Sequence, residues 1–257
     1  MSAPENRDMN VPRLQDLRIR IFSDGADLDS IIEARQRGLV RGFTTNPTLM
    51  AKAGVTNYLM FAREVLRIVT DLPVSFEVFS DDFEGMRRQA LVLDALAPNV
   101  YVKIPITNTK GESACALIGD LSARGLKLNI TAMMTLEQVR AVAAVLAPES
   151  SAFISVFAGR IADAGRDPLP LMKEALEILR PRPGAELLWA SPREALNILQ
   201  AEWIGCPIIT VTPDLLAKAA HFGKDLDQFS LETVKMFYND ARKSGFRIEG
   251  GSGGAVE

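Results

Sequence analysis

The sequence predicts an α/β chain closed as a single (β/α)8 TIM barrel, followed by an extra C-terminal amphipathic helix. Three observations carry this reading. From Arg18 onward, eight short runs rich in β-branched residues alternate with runs whose apolar residues recur at three- and four-residue spacing. The 257 residues are what one such barrel commonly fills. The apolar runs also end in polar residues almost throughout, and strand C-termini are where these barrels gather their chemistry. A doubly wound open sheet has the same alternation and is the competing arrangement. No Gly-x-Gly-x-x-Gly follows a strand and no P-loop is present, which weakens a nucleotide-binding version of it.

In chain order, residues 1–15 form a polar extension, 16–228 the barrel, 229–246 the terminal helix and 247–257 a flexible Gly-rich tail. The expected strands are Ile19–Ser23, Val40–Thr44, Val74–Phe79, Val100–Ile104, Lys127–Thr131, Phe153–Phe157, Glu186–Trp189 and Ile208–Val211. Between them, series such as Ala62-Val65-Leu66-Val69 and Met86-Ala90-Leu93-Leu96 mark helices with one apolar face. Asp82 before Phe83-Glu84 reads as an N-cap, and Thr135 with Gln138 as a capping box. Asp167-Pro168 and Ser191-Pro192 each place proline at an expected first helical position. Gly38, Gly125 and Gly205 stand just past helix ends, where a left-handed residue is wanted. Leu231, Val234, Phe237, Tyr238 and Ala241 recur at helical spacing across Ser230–Lys243, so this last helix must pack somewhere.

Composition excludes several classes of function. With 47% hydrophobic and 24% charged residues and a net charge of −3, the chain carries no electrostatic footprint for nucleic acid or an anionic membrane. No apolar run is long enough to span a bilayer, and the N-terminal extension lacks the apolar core of a signal peptide, so the cytoplasm is the expected location. One histidine, His221, builds neither a multi-histidine metal site nor a supported nucleophile pair. The two cysteines, Cys115 and Cys206, fall in different elements and read as small buried hydrophobes. No metal and no cofactor are therefore expected.

One residue does not fit its strand. Val100-Tyr101-Val102-Lys103-Ile104-Pro105 reads as a buried strand with a lysine in the middle. An ion-paired or snorkelling lysine is the ordinary explanation for such a residue taken alone. The other is a lysine whose burial disfavours the ammonium form, so that it can attack a carbonyl and form a Schiff base. The remaining strand ends favour the second. They deliver Asp24, then Thr44-Thr45-Asn46, Glu77, Lys103, Asn129 with Thr131, Ser155 followed by Arg160, Ser191 with Arg193, and Thr210. Side-chain alternation puts Lys103 on one face with Tyr101, Asn129 with Thr131, and Ser155 with Phe157, while Val102, Ile104, Ile130, Ile154 and Val156 suit the outer face. Arg20 shares parity with Asp24 and belongs at the barrel floor or outside.

Each polar residue has a structural explanation: Asn46-Pro47 as a turn, Glu77 as a salt-bridge partner, Asp24 and Thr131 as helix caps. Jointly, those explanations require one apolar interior to hold two carboxylates and an amine for no purpose, which is costly. A lysine amine adds to a ketone, and the carbinolamine must lose water; Glu77 with Thr131 would serve as the proton shuttle. The protonated imine is an electron sink, so the neighbouring carbon–carbon bond breaks when a base takes the far hydroxyl proton, for which Asp24 is the candidate. Asn46 and Asn129 suit sugar hydroxyls. Arg160, Ser191 and Arg193 suit a phosphate, with the Ser-Pro helix opening adding a helix N-terminus.

These residues resemble one family, the class I Schiff-base transaldolases with the related fructose-6-phosphate aldolases. The matching motifs are Thr44-Thr45-Asn46-Pro47-Thr48, Val102-Lys103-Ile104-Pro105, Asn129-Ile130-Thr131, Ser155-Val156-Phe157-Ala158-Gly159-Arg160-Ile161 and Ala190-Ser191-Pro192-Arg193, running in order through nearly the whole barrel. The resemblance implies a (β/α)8 barrel with the Schiff-base lysine at Lys103, general acid/base at Asp24, and Glu77 with Thr131 on the catalytic water. It implies substrate contacts from Thr45, Asn46, Asn129, Ser155 and Phe157, a phosphate site at Arg160, Ser191 and Arg193, small sugar phosphates as partners, and a homo-oligomer. Glu77 and Phe157 match the transaldolase branch, where the aldolase branch has glutamine and tyrosine. The activity implied is transfer of a dihydroxyacetone unit from fructose 6-phosphate or sedoheptulose 7-phosphate to an aldose phosphate. Cleavage releasing free dihydroxyacetone and a non-catalytic phosphosugar-binding barrel are the alternatives. Pro192 between the phosphate contacts departs from the family pattern.

Overall fold

The computed structural model of the protein describes residues 11–248. Eight parallel strands close in sequence order into a barrel, β1 pairing with β8. They are β1 Arg20–Asp24, β2 Gly42–Thr44, β3 Val74–Glu77, β4 Val100–Pro105, β5 Leu128–Met133, β6 Ala152–Val156, β7 Ala185–Trp189 and β8 Ile208–Val211. The helices are α1 Leu28–Gln36, α2 Pro47–Lys52, α3 Tyr58–Ile68, α4 Phe83–Asp94, α5 Cys115–Ala123, α6 Leu136–Val145, α7 Ala158–Asp163, α8 Pro168–Leu179, α9 Leu196–Trp203, α10 Pro213–Lys218 and α11 Leu226–Ser244. Closure settles the choice against an open sheet. The crossovers after β2 and β6 each carry two helices where the simple repeat needs one, because Asn57 caps a second helix after α2 and Asp167-Pro168 starts another after α7.

The helix signals hold in most places. Asp82 accepts from the Gly85 N–H, and Thr135 forms the full capping box with Gln138. Gly38, Gly125 and Gly205 all take left-handed backbone. Ser191-Pro192 is the exception, since no helix starts there. α9 begins at Leu196, and Ser191–Ala195 is a loop whose backbone N–H groups at Arg193 and Glu194 are both satisfied by the Asn197 side chain. The proposed helix N-terminus at the phosphate site is thereby removed. Asp24 and Thr131 cap nothing either; Asp27 and Thr135 hold those positions.

Strand bounds shift by one or two residues in every strand but β8, and two of the shifts matter here. β2 is shorter than Val40–Thr44: ladder bonding begins where the Arg41 N–H donates to the Ile21 carbonyl. β3 stops at Glu77, after which Phe79 turns outward and is half exposed.

The barrel interior is layered as the alternation implies. Phe22, Phe153, Leu188, Ala190 and Ile208 form one buried cluster, with Tyr101 and Phe157 packed against it. Tyr101 stacks on Phe153 at 4.0 Å between ring centroids, and Phe22 meets Phe153 edge-on at 5.3 Å. The floor beneath holds Arg20, in an ion pair with Glu186 one layer below Leu188. Val102, Ile104, Ile130, Ile154 and Val156 are fully buried on the opposite face of their strands, towards the helices.

Gly42 makes the aromatic layer possible. A Cβ at this position would stand 2.7–2.8 Å from three atoms of the Phe22 ring. Gly42→Ala is therefore expected to destabilise the protein by about 1–3 kcal/mol, the usual cost of overpacking. Thermal unfolding checks it: an unchanged Tm would mean that the ring has room to move.

The barrel unit is Leu14–Ala220. In the second unit, α11 spans 19 residues and ends on left-handed Gly245. None of its residues is buried, and Leu231, Val234, Phe237 and Tyr238 are exposed. His221 lies beside Phe229 at 5.2 Å between ring centroids. The expected Gly-rich tail lies outside the described residues beyond Ile248, as does most of the N-terminal extension. Cys206 is buried and Cys115 partly so, both as free thiols. Among the described residues no helix is long and apolar enough to cross a membrane.

Candidate active site

A cavity of about 410 Å³ opens at the C-terminal ends of the strands. Its wall includes Asp24, Asn46, Glu77, Lys103, Asn129, Thr131, Ser155, Phe157, Arg160, Ser191, Arg193 and Thr210, drawn from all eight strands or the segments that follow them. Of the residues singled out in the sequence, Thr45 alone is absent from the wall. Its side chain is fully buried and donates to the Ser75 carbonyl at 2.9 Å. What Thr45 contributes is its backbone carbonyl.

That carbonyl accepts a hydrogen bond from Lys103 Nζ at 2.8 Å. The same nitrogen is 3.1 Å from Glu77 Oε2, and Lys103 as a whole is only 6% exposed. The register explains the meeting: Glu77 is directly opposite Lys103 on β3, and Asn129 directly opposite on β5. Side chains at paired positions of neighbouring strands point the same way. Glu77 is fixed from behind by Tyr58, whose hydroxyl donates to the Glu77 carbonyl at 2.8 Å. Burial pushes the Tyr58 phenol well above its ordinary range, so it stays a donor.

Asp24 sits at the tip of β1. Thr44 donates to one carboxylate oxygen at 2.8 Å and Asn46 to the other at 3.4 Å, while Thr44 also shares a hydrogen bond with Thr210 at 2.6 Å. Asn46 has a second role that its turn signal foretold, capping α2 by accepting from the Leu49 N–H. Burial raises the Asp24 carboxyl above the usual carboxylate range. The Lys103 charge and the bonds from Thr44 and Asn46 pull it down, and the nearby Glu77 charge pushes it further up.

A polar chain runs beneath the lysine. Ser155 donates to Asn129 Oδ1 at 2.6 Å, and Asn129 Nδ2 donates to Ser75 Oγ at 2.9 Å. All three are buried, and the chain satisfies each of them. Above it, β5 breaks register against β6 between Ile130 and Met133, and Ala132 adopts φ 62°. In a regular strand Thr131 and Ala132 would face opposite ways. The bulge is the reason both line the cavity. Among the described residues Ser191, at φ 58°, is the other non-glycine residue in left-handed backbone, and it too lines the wall.

Residues not marked in the sequence as site components are Ser75, Tyr58 and Ala132. Alternation is the signal available for Ser75, which shares a face with Glu77. Tyr58 and Ala132 carried no such signal. Among the described residues no group of three or more His, Cys, Asp or Glu side chains stands together as a metal set.

Fold and site together define a TIM-barrel enzyme with its polar cavity at the strand C-termini. The family profile described as Transaldolase/Fructose-6-phosphate aldolase matches residues 21–248, and the chain belongs to this family. It is similar to a protein named "Probable transaldolase" from Thermoanaerobacter sp. (strain X514), 34% identical over 232 residues, 90% of this chain and 100% of that one. A protein of the same name from Heliobacterium modesticaldum (strain ATCC 51547 / Ice1) is 37% identical over 195 residues, 75% of this chain and 86% of that one. At the level of fold alone, a crystal structure from Burkholderia cenocepacia J2315 superposes with a TM-score of 0.53 at 14% identity, covering 91% of this chain and 96% of that one.

Proposed function

We propose that the protein is a transaldolase, moving a dihydroxyacetone unit from fructose 6-phosphate or sedoheptulose 7-phosphate to an aldose phosphate through a Schiff base on Lys103. The observation that carries this reading is the lysine itself: buried, aimed into the cavity, with its nitrogen 3.1 Å from a carboxylate oxygen. Names of relatives support the class of reaction.

The arrangement of these residues supports the following steps. Lys103 must present a free amine to attack the ketone carbon, and Glu77 is the group placed to take its proton. The resulting carbinolamine loses its hydroxyl as water, with Glu77 and Thr131 handling the proton and the water. Asp24 then removes the proton from the hydroxyl on the far carbon of the bond to be broken. The electron pair flows into the iminium, the aldose leaves, and an enamine of dihydroxyacetone remains on Lys103. A second aldose adds to that enamine, and the same steps run in reverse. Asn46, Asn129 and Ser155 are assigned to substrate hydroxyls, and Arg160, Ser191 and Arg193 to the phosphate. The scheme uses these side chains alone.

Reduction with borohydride in the presence of fructose 6-phosphate tests the proposal. The expected result is a stable adduct mapped by mass spectrometry to Lys103; an adduct on another lysine, or none, would sink it.

Phe157 decides what becomes of the enamine. Its ring packs on the aromatic layer and offers no proton, so the enamine waits for an acceptor. Phe157→Tyr would put a hydroxyl beside the nucleophilic carbon. It is expected to raise the release of free dihydroxyacetone measured without any acceptor aldehyde, at the expense of transfer. No change in that ratio would remove Phe157 from the explanation.

We also propose a homo-oligomer, on the exposed apolar residues of α11. Sedimentation of the full chain at the 28.1 kDa of a monomer would contradict it.

A further inference from the structure

The anion-site loop after β7 is tied to α7 through Arg193, Asp163 and Gly159. Arg193 Nε lies 3.1 Å from both carboxylate oxygens of Asp163, and Arg193 Nη2 lies 2.5 Å from Asp163 Oδ2. The guanidinium is thus held side-on by one of its long edges. Its main chain is held as well, since the Arg193 N–H donates to Asn197 Oδ1 at 2.8 Å. Gly159 completes the clasp. A Cβ on Gly159 would stand 1.6 Å from the Ser191 carbonyl oxygen and 3.2 Å from Arg193 Cγ, so the loop lies directly on the bare backbone of α7.

Asp163 and Asn197 do not line the cavity, whereas Gly159's neighbour Arg160 and the clasped Arg193 both do. The side chains of Asp163 and Arg193 remain 52% and 45% exposed. An ion pair that open to water adds little to folding. Its consequence is geometric. An unpaired arginine samples many rotamers and loses that freedom when it binds an anion. With its Nε/Nη2 edge occupied, Arg193 keeps one orientation, and its Nη1 side stays free for an incoming oxygen.

We propose that Asp163 is the positioning residue of the anion site: it presets Arg193 and thereby sets the preference for phosphorylated over unphosphorylated ligands. This rests on the assignment of Arg193 to the substrate phosphate. Asp163 touches no reacting atom, and its effect belongs in ligand affinity and not in turnover.

The test uses the full chain with Asp163→Asn and Asp163→Glu. Inorganic phosphate binding is measured by calorimetry, and steady-state kinetics and borohydride trapping compare fructose 6-phosphate with unphosphorylated ligands. Asp163→Asn is expected to weaken phosphate binding and raise KM for fructose 6-phosphate, each by about tenfold, the scale of one charge-assisted hydrogen bond. It is expected to leave kcat within about twofold. Trapping of unphosphorylated dihydroxyacetone should not change, and Asp163→Glu should restore part of the loss. Phosphate affinity that is unchanged or tighter in Asp163→Asn would overturn the proposal, because Asp163 would then be a bystander or merely a neutralising charge. Equal losses with phosphorylated and unphosphorylated ligands would also overturn it, as damage to the fold. A parent protein that traps substrate on Lys103 yet binds no phosphate would refute the anion site, and this proposal with it. Failure confined to the variants leaves the anion site standing and refutes Asp163 alone.

Discussion

Lys103→Met is expected to lower transaldolase turnover by roughly 10⁴-fold or more, the loss typical of removing a nucleophile that works as one unit with its partners. Methionine keeps the length and apolar stem of lysine but cannot form the carbon–nitrogen bond. The fold should survive. Glu77 loses its partner at 3.1 Å but keeps 18% of its side chain exposed, so water from the cavity can replace the ammonium. Two measurements separate chemistry from folding: circular dichroism, expected to match the parent, and kcat, expected to vanish into background. Residual turnover within tenfold of the parent would mean that the bond is broken without covalent attachment.

Asp24→Asn is expected to lower turnover by about 10²–10⁴-fold, the contribution of a positioned general base. Its signature differs from that of the lysine variant. In the proposed mechanism attachment needs Lys103, Glu77 and Thr131, whereas cleavage needs Asp24. Borohydride should therefore still trap an adduct in Asp24→Asn, but with the whole ketose mass retained. An adduct of dihydroxyacetone mass would show that cleavage proceeds without Asp24, and the role would pass elsewhere.

Burial gives Asp24 a second, thermodynamic signature. Its carboxyl is raised in the folded protein, so the folded state holds that proton more tightly than the unfolded chain does. Ionised Asp24 consequently costs stability at every pH above its folded pKa. That cost fades as pH falls, and it is absent below the unfolded value near 3.8. Asparagine carries no charge, so Asp24→Asn should raise Tm at neutral pH, and the gain should close as pH approaches 3.8. In the parent, the acid limb of kcat/KM should lie above the range of a free aspartate for the same reason. A Tm difference that is flat with pH would contradict the burial argument.

The barrel was legible because its signals are local and repeated. Period-two strands, helix caps at Asp82, Thr135 and Asp167, and left-handed glycines each follow from nearest-neighbour chemistry, and eight repetitions leave few alternatives. The meeting of Glu77 with Lys103 was legible for a related reason, since parity and strand order alone place them side by side. What escaped depends on backbone departures that the residue type does not announce. Ala132 adopts φ 62° without being glycine, and only the register break between β5 and β6 reveals that it turns into the cavity. The Ser191-Pro192 helix start failed because the Asn197 side chain satisfies the backbone N–H groups at Arg193 and Glu194 and holds them out of a helical turn. Tyr58 lies on a helix nineteen residues before Glu77, and no periodicity indicates that its hydroxyl reaches the Glu77 carbonyl. Thr45 shows the limit of motif reading: its side chain faces away, and its carbonyl holds the lysine.

The stacked layer of Phe22, Phe153 and Tyr101 lies one pleat below Asp24, Ser155 and Lys103, and it turns the barrel into a blind-ended chamber. Traffic through such a chamber is serial. In the proposed reaction a ketose enters by the mouth between the loops, and the aldose cut from it must back out the same way before an acceptor takes its place. On that reading donor-derived product and acceptor compete for one corridor, and a crowded mixture of sugar phosphates is expected to slow the exchange even when every proposed step at Lys103 is fast.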